Sequence, residues 1–193
     1  MKEKEKKNVF NFPNTLSLLR ILLIPIFLIL IVNRKTLEAF MVFLAAGFTD
    51  ILDGFTARLW NQKTKIGALL DPAADKLLMT ASFIVLSLPG LNSPNVISLW
   101  LTLVVISRDL SIVSFAFAAY KLRGQKIFPP STLGKTCTVL QCAVAILVLF
   151  FNSVHISTPY LNWLFLLTLV FTLLSSIHYS LIGYKIMTAS KQG

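Results

Sequence analysis

The sequence predicts an all-α protein, a polytopic bundle of six transmembrane helices with both termini on the cytoplasmic side. Three observations carry that expectation. Of 193 residues, 55% are hydrophobic and 13% are charged, about half the roughly 25% charge of an ordinary soluble domain. The mean hydropathy is +0.75, and the apolar residues collect in stretches near or above about 18, the length at which a helix crosses a bilayer. The 18 Lys and Arg outnumber the 8 Asp and Glu, for a formal net charge of +10, and the basic residues cluster in a few short segments. About six spans of roughly 20 residues fill this length. Residues 1–193 are therefore expected to form one membrane domain, with residues 1–12 as a basic cytoplasmic tail and no separate soluble catalytic domain.

Breaks at Pro, Gly, Asn and charge divide the chain into helices at 15–32, 37–60, 67–88, 96–122, 135–152 and 159–187. The first follows Pro13-Asn14, carries Pro25 as a candidate kink, and stops at Asn33-Arg34-Lys35. The second ends in the polar run after Leu59, and the third begins at Gly67 and stops before Pro89-Gly90. The fourth lies between Pro94-Asn95 and Arg123-Gly124, while Gly124, Pro129 and Pro130 shape the longest loop. The fifth starts after Gly134 and ends at Asn152, and the sixth begins at Pro159. Neither an internal repeat nor a low-complexity linker is visible.

Basic residues set the orientation. Lys2, Lys4, Lys6 and Lys7, then Arg58, Lys63 and Lys65, then Lys121, Arg123 and Lys126, and finally Lys185 and Lys191 mark the segments expected in the cytoplasm. The turns around Pro89 to Pro94 and Asn152 to Pro159 contain no Lys or Arg. Arg34 and Lys35 on an outer loop are the exception, partly offset by Glu38. This topology explains the positive balance better than a nucleic-acid partner does, and none is expected. The N-terminal Lys run reads as attachment to anionic lipid, worth about 1 kcal/mol per residue near the surface.

Cys137 and Cys142 are five residues apart in an apolar stretch, about 140° apart on a helix, so they read as small packing residues. His155 falls in an outer turn and His178 among Ser and Tyr on the last helix. Neither belongs to a metal-binding or catalytic pattern.

The acids are more informative. Four of the eight, Asp50, Asp53, Asp71 and Asp75, fall on two predicted membrane helices joined by a short loop. An Asp at a helix centre costs about 2.5–3.5 kcal/mol on an insertion scale, so four unpaired would cost on the order of 10. The spacings i, i+3 and i, i+4 put each pair on one face of its helix, and antiparallel neighbours can bring the four carboxylates together. Arg58 and Lys76 are the cations expected nearby, which leaves a charge deficit that divalent metal would fill. An all-oxygen site suits Mg²⁺ or Mn²⁺, and two such ions could hold a pyrophosphate. An ion or proton path of a transporter is the alternative for the same acids. Gly54, Ala57, Gly67, Ala68, Ala73 and Ala74 lie among them and permit close helix approach or leave room for a ligand.

The segment Asp50-Ile51-Leu52-Asp53-Gly54-Phe55-Thr56-Ala57-Arg58, then Gly67, Asp71 and Asp75, resembles the signature of the CDP-alcohol phosphatidyltransferases at every fixed position. The resemblance implies a six-helix membrane bundle, usually a homodimer, with its active site facing the cytoplasm, here in a bacterial inner membrane. It implies that Asp50, Asp53, Asp71 and Asp75 bind two divalent ions and that Asp75 is the general base. It further implies that Gly54, Ala57, Arg58 and Gly67 form the nucleotide pocket. The implied reaction is attack by an acceptor hydroxyl on the lipid-linked phosphorus of CDP-diacylglycerol, with CMP leaving.

Arg108, in Ile106-Ser107-Arg108-Asp109, and Lys135, after Gly134, are the candidate contacts for a phosphate-bearing acceptor. Arg108 also reads as the partner of Asp109, and Lys135 as an interfacial lysine. The segment Pro13 to Arg20 and the Gly134-Lys135-Thr136 region resemble the phosphatidylglycerophosphate synthase branch, whose acceptor is glycerol 3-phosphate. The lack of a cation from Ser111 to Tyr120 departs from that branch, and Asp109 where it has Glu leans toward cardiolipin synthase and phosphatidylglycerol, which stand as the alternative to glycerol 3-phosphate. Asn14 and Arg20 are read as pocket residues, or as a helix N-cap and a membrane-surface anchor.

Overall fold

The computed structural model describes residues 12–59, 67–91, 94–123 and 131–188, with side chains described for 15, 16, 18–50, 73–91, 94–115 and 131–182. These residues form six α-helices, α1 (Phe12–Val32), α2 (Thr36–Leu59), α3 (Gly67–Leu86), α4 (Leu99–Arg123), α5 (Thr132–Ser153) and α6 (Leu161–Thr188). The described residues include no strand. The all-α expectation and the helix order hold, with shifts of a few residues at the ends. Helix α1 starts at Phe12, so Asn14 lies inside its first turn and is not the N-cap.

Local chemistry explains the other boundaries. Ser131 caps α5 by accepting the Gly134 N–H at 3.0 Å, which moves the helix start ahead of the expected 135. Helix α4 starts at Leu99 instead of 96 because the preceding segment is claimed by other partners. The Asn95 N–H donates to Asn152 Oδ1 at 2.8 Å, Asn152 Nδ2 returns a bond to the Asn95 carbonyl at 2.8 Å, and the Ile97 N–H donates to the Leu86 carbonyl at 3.0 Å. Asn152 is fully buried, so these bonds satisfy a side chain that would otherwise be costly to bury.

Two helices close on residues in the left-handed region, Arg34 (φ 58°) and His155 (φ 56°). After α1, the Lys35 N–H reaches the Leu30 carbonyl and the Arg34 N–H the Ile31 carbonyl, both at 2.9 Å. After α5, the Ile156 and His155 N–H groups reach Phe151 and Asn152 in the same pattern. Each is a Schellman closure, usually made by glycine. His155 thus has a structural place as a helix terminator.

Helix α1 packs against α2 and α3; α4 and α5 pack along α6, and α5 joins the halves through α2 and α3. Phe27, Phe43, Phe83, Leu86, Ile97, Leu101, Val144, Val148 and Leu149 fill the centre, with the Phe27 and Phe43 ring centroids 5.8 Å apart. Large apolar side chains also point outward, among them Leu22, Ile29, Leu103, Val139, Trp163 and Ile177. Helices apolar all round suit a lipid solvent, where association rests on close packing and not on the hydrophobic effect. By length and composition, α5 and the Leu161–Ile182 part of α6 can cross a membrane, and Leu18–Val32 of α1 is a shorter apolar helix. Helices α2, α3 and α4 interrupt their apolar runs with charged residues.

Candidate active site

Antiparallel packing gathers the ends of the helices that carry charge. Arg20, on α1 between apolar neighbours, is completely buried. Its Nη1 donates to Asp75 Oδ1 on α3 at 2.6 Å, and its Nη2 lies 3.1 Å from Asp50 Oδ1 on α2. Its Nε donates to the Ala46 carbonyl at 3.3 Å, which also accepts the Thr49 hydroxyl at 2.7 Å. One guanidinium therefore joins three helices, and charge-assisted bonds of this kind are about twice as strong as neutral ones. The Asp50 and Asp75 side chains stay 44% and 43% exposed.

This corrects two expectations. Arg20 is not an anchor at the membrane surface; it is buried where α1 packs against both α2 and α3. Lys76 does not pair with Asp50 or Asp75, the two of the four acids whose side chains are described. Its Nζ pairs with Asp109 Oδ1 on α4 at 2.8 Å, because it follows Asp75 by one residue and a 100° rotation turns it toward α4.

Arg108 donates to the same Asp109 oxygen at 2.7 Å. Its Nη2 and Nε also bond Ser175 Oγ on α6 at 2.9 and 3.3 Å, and its guanidinium carbon lies 5.6 Å from the centroid of the Tyr179 ring, within cation–π range. Tyr179 Oη accepts the Ser131 N–H at 3.2 Å. The network thus runs from α3 through α4 and α6 to the start of α5, where Lys135 is exposed on the first helical turn. The partner expected for Arg108 from its neighbour Asp109 is present.

The structure brings Asp50 and Asp75 together. The side chains of Asp53, Gly54, Ala57, Arg58, Gly67 and Asp71 lie outside the described residues. Among the described residues, no three His, Cys, Asp or Glu groups converge on one point. Asp50 and Asp75 still offer partly exposed carboxylates from two helices, and this oxygen chemistry fits a hard divalent cation. Cys137 and Cys142 are free thiols; Cys137 Sγ lies 3.3 Å from Thr172 Oγ1 and Cys142 Sγ lies 3.8 Å from Met79 Sδ, as packing residues would.

Arg20 was accessible to the same cost argument that singled out Arg108, since an arginine inside an apolar helix needs a partner. Its partners are 30 and 55 positions away in sequence, so no local spacing names them.

Residues 10–174 match the family model for CDP-alcohol phosphatidyltransferase. The chain belongs to that family. The family match favours transferase chemistry over an ion path for the same acids. A relative named CDP-diacylglycerol–glycerol-3-phosphate 3-phosphatidyltransferase from Escherichia coli (strain K12) is 32% identical over 176 residues, covering 88% of this chain and 93% of the relative. Relatives named cardiolipin synthase (CMP-forming) from Rattus norvegicus and Homo sapiens are 39% and 38% identical over 130 residues, 67% of this chain. The chain spans 40% of the length of these two mammalian proteins.

Proposed function

We propose that this family member is an integral-membrane enzyme that transfers a phosphatidyl group from CDP-diacylglycerol to glycerol 3-phosphate, giving phosphatidylglycerophosphate and CMP. The observation that carries the reading is the convergence of Asp50 and Asp75 from α2 and α3 on one buried guanidinium, in a chain of this family. The near full-length match to the E. coli glycerol-3-phosphate transferase favours that acceptor. So does the cationic chemistry beside the carboxylates. Arg108 and Lys76 meet at Asp109, and Lys135 sits at the positive end of the α5 dipole, where an anion is favoured.

Asp50, Asp53, Asp71 and Asp75 would hold two Mg²⁺ or Mn²⁺ ions. When bound, such ions offset charge on the pyrophosphate oxygens. Asp75 takes the proton of the acceptor hydroxyl; the hydroxyl oxygen bonds to the lipid-linked phosphorus and the bond from that phosphorus to the CMP oxygen breaks. Gly54, Ala57 and Gly67 leave room for the nucleotide, Arg58 pairs with its phosphates, and Arg108 and Lys135 receive the acceptor phosphate. Six spans put both termini and the carboxylate ends of α2 and α3 on the cytoplasmic side of a bacterial inner membrane, in keeping with the basic loops at that end. The protein acts as a homodimer.

A second reading, cardiolipin synthesis from phosphatidylglycerol, is favoured by Asp109 and by the likeness to the mammalian synthases. The test is to give purified protein CDP-diacylglycerol with either glycerol 3-phosphate or phosphatidylglycerol, and to identify the lipid product and the CMP released. Glycerol 3-phosphate should yield phosphatidylglycerophosphate, with EDTA stopping the reaction and Mg²⁺ restoring it. Cardiolipin formed from phosphatidylglycerol alone would overturn the acceptor, and no CMP from either would overturn the transferase reading.

A further inference from the structure

We infer that Arg20 is a positioning residue for the metal-binding carboxylates, a rigid fork on α1 that sets the separation of Asp50 on α2 from Asp75 on α3. The inference rests on the transferase reading and deepens it. Helix α1 supplies none of the signature carboxylates, yet it places the only fully buried arginine among the described residues behind two of them. Burying a guanidinium is costly unless its donors are satisfied. Arg20 meets Ala46, Asp50 and Asp75 with three different nitrogens.

Two partly exposed carboxylates stand between Arg20 and the accessible side, which separates a positioning role from contact with substrate. Arg20 is fully buried, whereas the two carboxylates it holds are each about 44% exposed. The cation lies on the protein side, and the accessible carboxylate surface belongs to the other side. A planar guanidinium with donors in a fixed fork can hold two carboxylates at one spacing, which a single ammonium on a flexible stem cannot. Without it, two like charges from separate helices repel each other.

Arg20 acts on a divalent cation in two opposed ways. Its positive charge weakens cation binding by repulsion; its fork strengthens binding by presenting both ligands ready placed. Removal of groups that orient metal ligands typically costs about 10- to 100-fold in affinity, and orientation wins here because two helices must be held in register. The sign of the effect separates this role from that of a plain counter-ion, whose removal would tighten metal binding.

The test uses full-length protein purified in detergent, with Mn²⁺ binding followed by electron paramagnetic resonance of the free ion. Arg20→Lys is the deciding variant, since it keeps the buried charge and loses the fork, and circular dichroism and gel filtration should match the wild type. Its Kd for Mn²⁺ should rise about 10-fold or more, and kcat at saturating Mg²⁺ should fall by a similar factor with KM for CDP-diacylglycerol within about twofold. R20A should bind Mn²⁺ no better than R20K. Wild-type affinity in R20K, or tighter binding in R20A, overturns the inference while CMP release by the wild type still supports the transferase. A wild type that binds Mn²⁺ but releases no CMP overturns the transferase reading instead.

Discussion

Lys76 on α3 and Asp109 on α4 form a 2.8 Å ion pair one residue beyond the carboxylate held by Arg20. Asp109 Oδ1 accepts Arg108 as well, so one oxygen on a side chain only 10% exposed serves two cations. Asp109→Asn should therefore destabilise the bundle. Removing one partner of a buried pair costs about 3–5 kcal/mol, and the lower end applies because Asn keeps an acceptor oxygen. Unfolding in mixed micelles measures the loss, and unchanged stability would show that Ser175 and the Tyr179 ring suffice for Arg108. With Arg108 in its proposed role as acceptor contact, the KM of Asp109→Asn for the acceptor should also rise, because Arg108 loses the group that orients it.

Asp75→Asn keeps the size of the side chain and removes its basicity. General-base catalysis contributes about 10²- to 10⁴-fold, so CMP release should fall by at least about a hundredfold while the protein still inserts in the membrane. Near-normal turnover in this variant would remove Asp75 from the role of base.

Gly134 and Tyr179 are matched in shape. A Cβ at Gly134 would lie 2.7 Å from Tyr179 Oη, 3.1 Å from Ser131 Oγ and 3.2 Å from Tyr179 Cε2. The tyrosine has little freedom to withdraw, because its hydroxyl holds the Ser131 N–H and its ring lies against Arg108. Gly134→Ala should cost about 1–3 kcal/mol, the range for overpacking, despite the better helix propensity of alanine. In the double variant with Tyr179→Phe the hydroxyl is absent, and the combined loss should be smaller than the sum of the two single losses. Strict additivity in thermal melts would mean that the contact is relieved in another way.

Much of the architecture was legible because it follows from short-range chemistry. The six helices lie between breaks at Pro, Gly, Asn and charge, with α5 and α6 the long apolar runs among them, and the i, i+3 and i, i+4 spacings of the four aspartates were visible without any fold. Where boundaries moved, side chains from distant segments had taken over backbone groups, as Asn152 does for Asn95. Lys76 looked like a neutraliser of the aspartates because it follows Asp75 in sequence; one step of helical rotation gave it to Asp109.

Sequence by itself determined the helical membrane class, the signature carboxylates and the family. Only the tertiary structure decided which cation serves which acid. Helix periodicity reports the face a residue occupies on its own helix, whereas the partner on that face depends on how separate helices cross and slide. Arg20, Asp50 and Asp75 come from three helices, and no pattern within any one of them records that meeting.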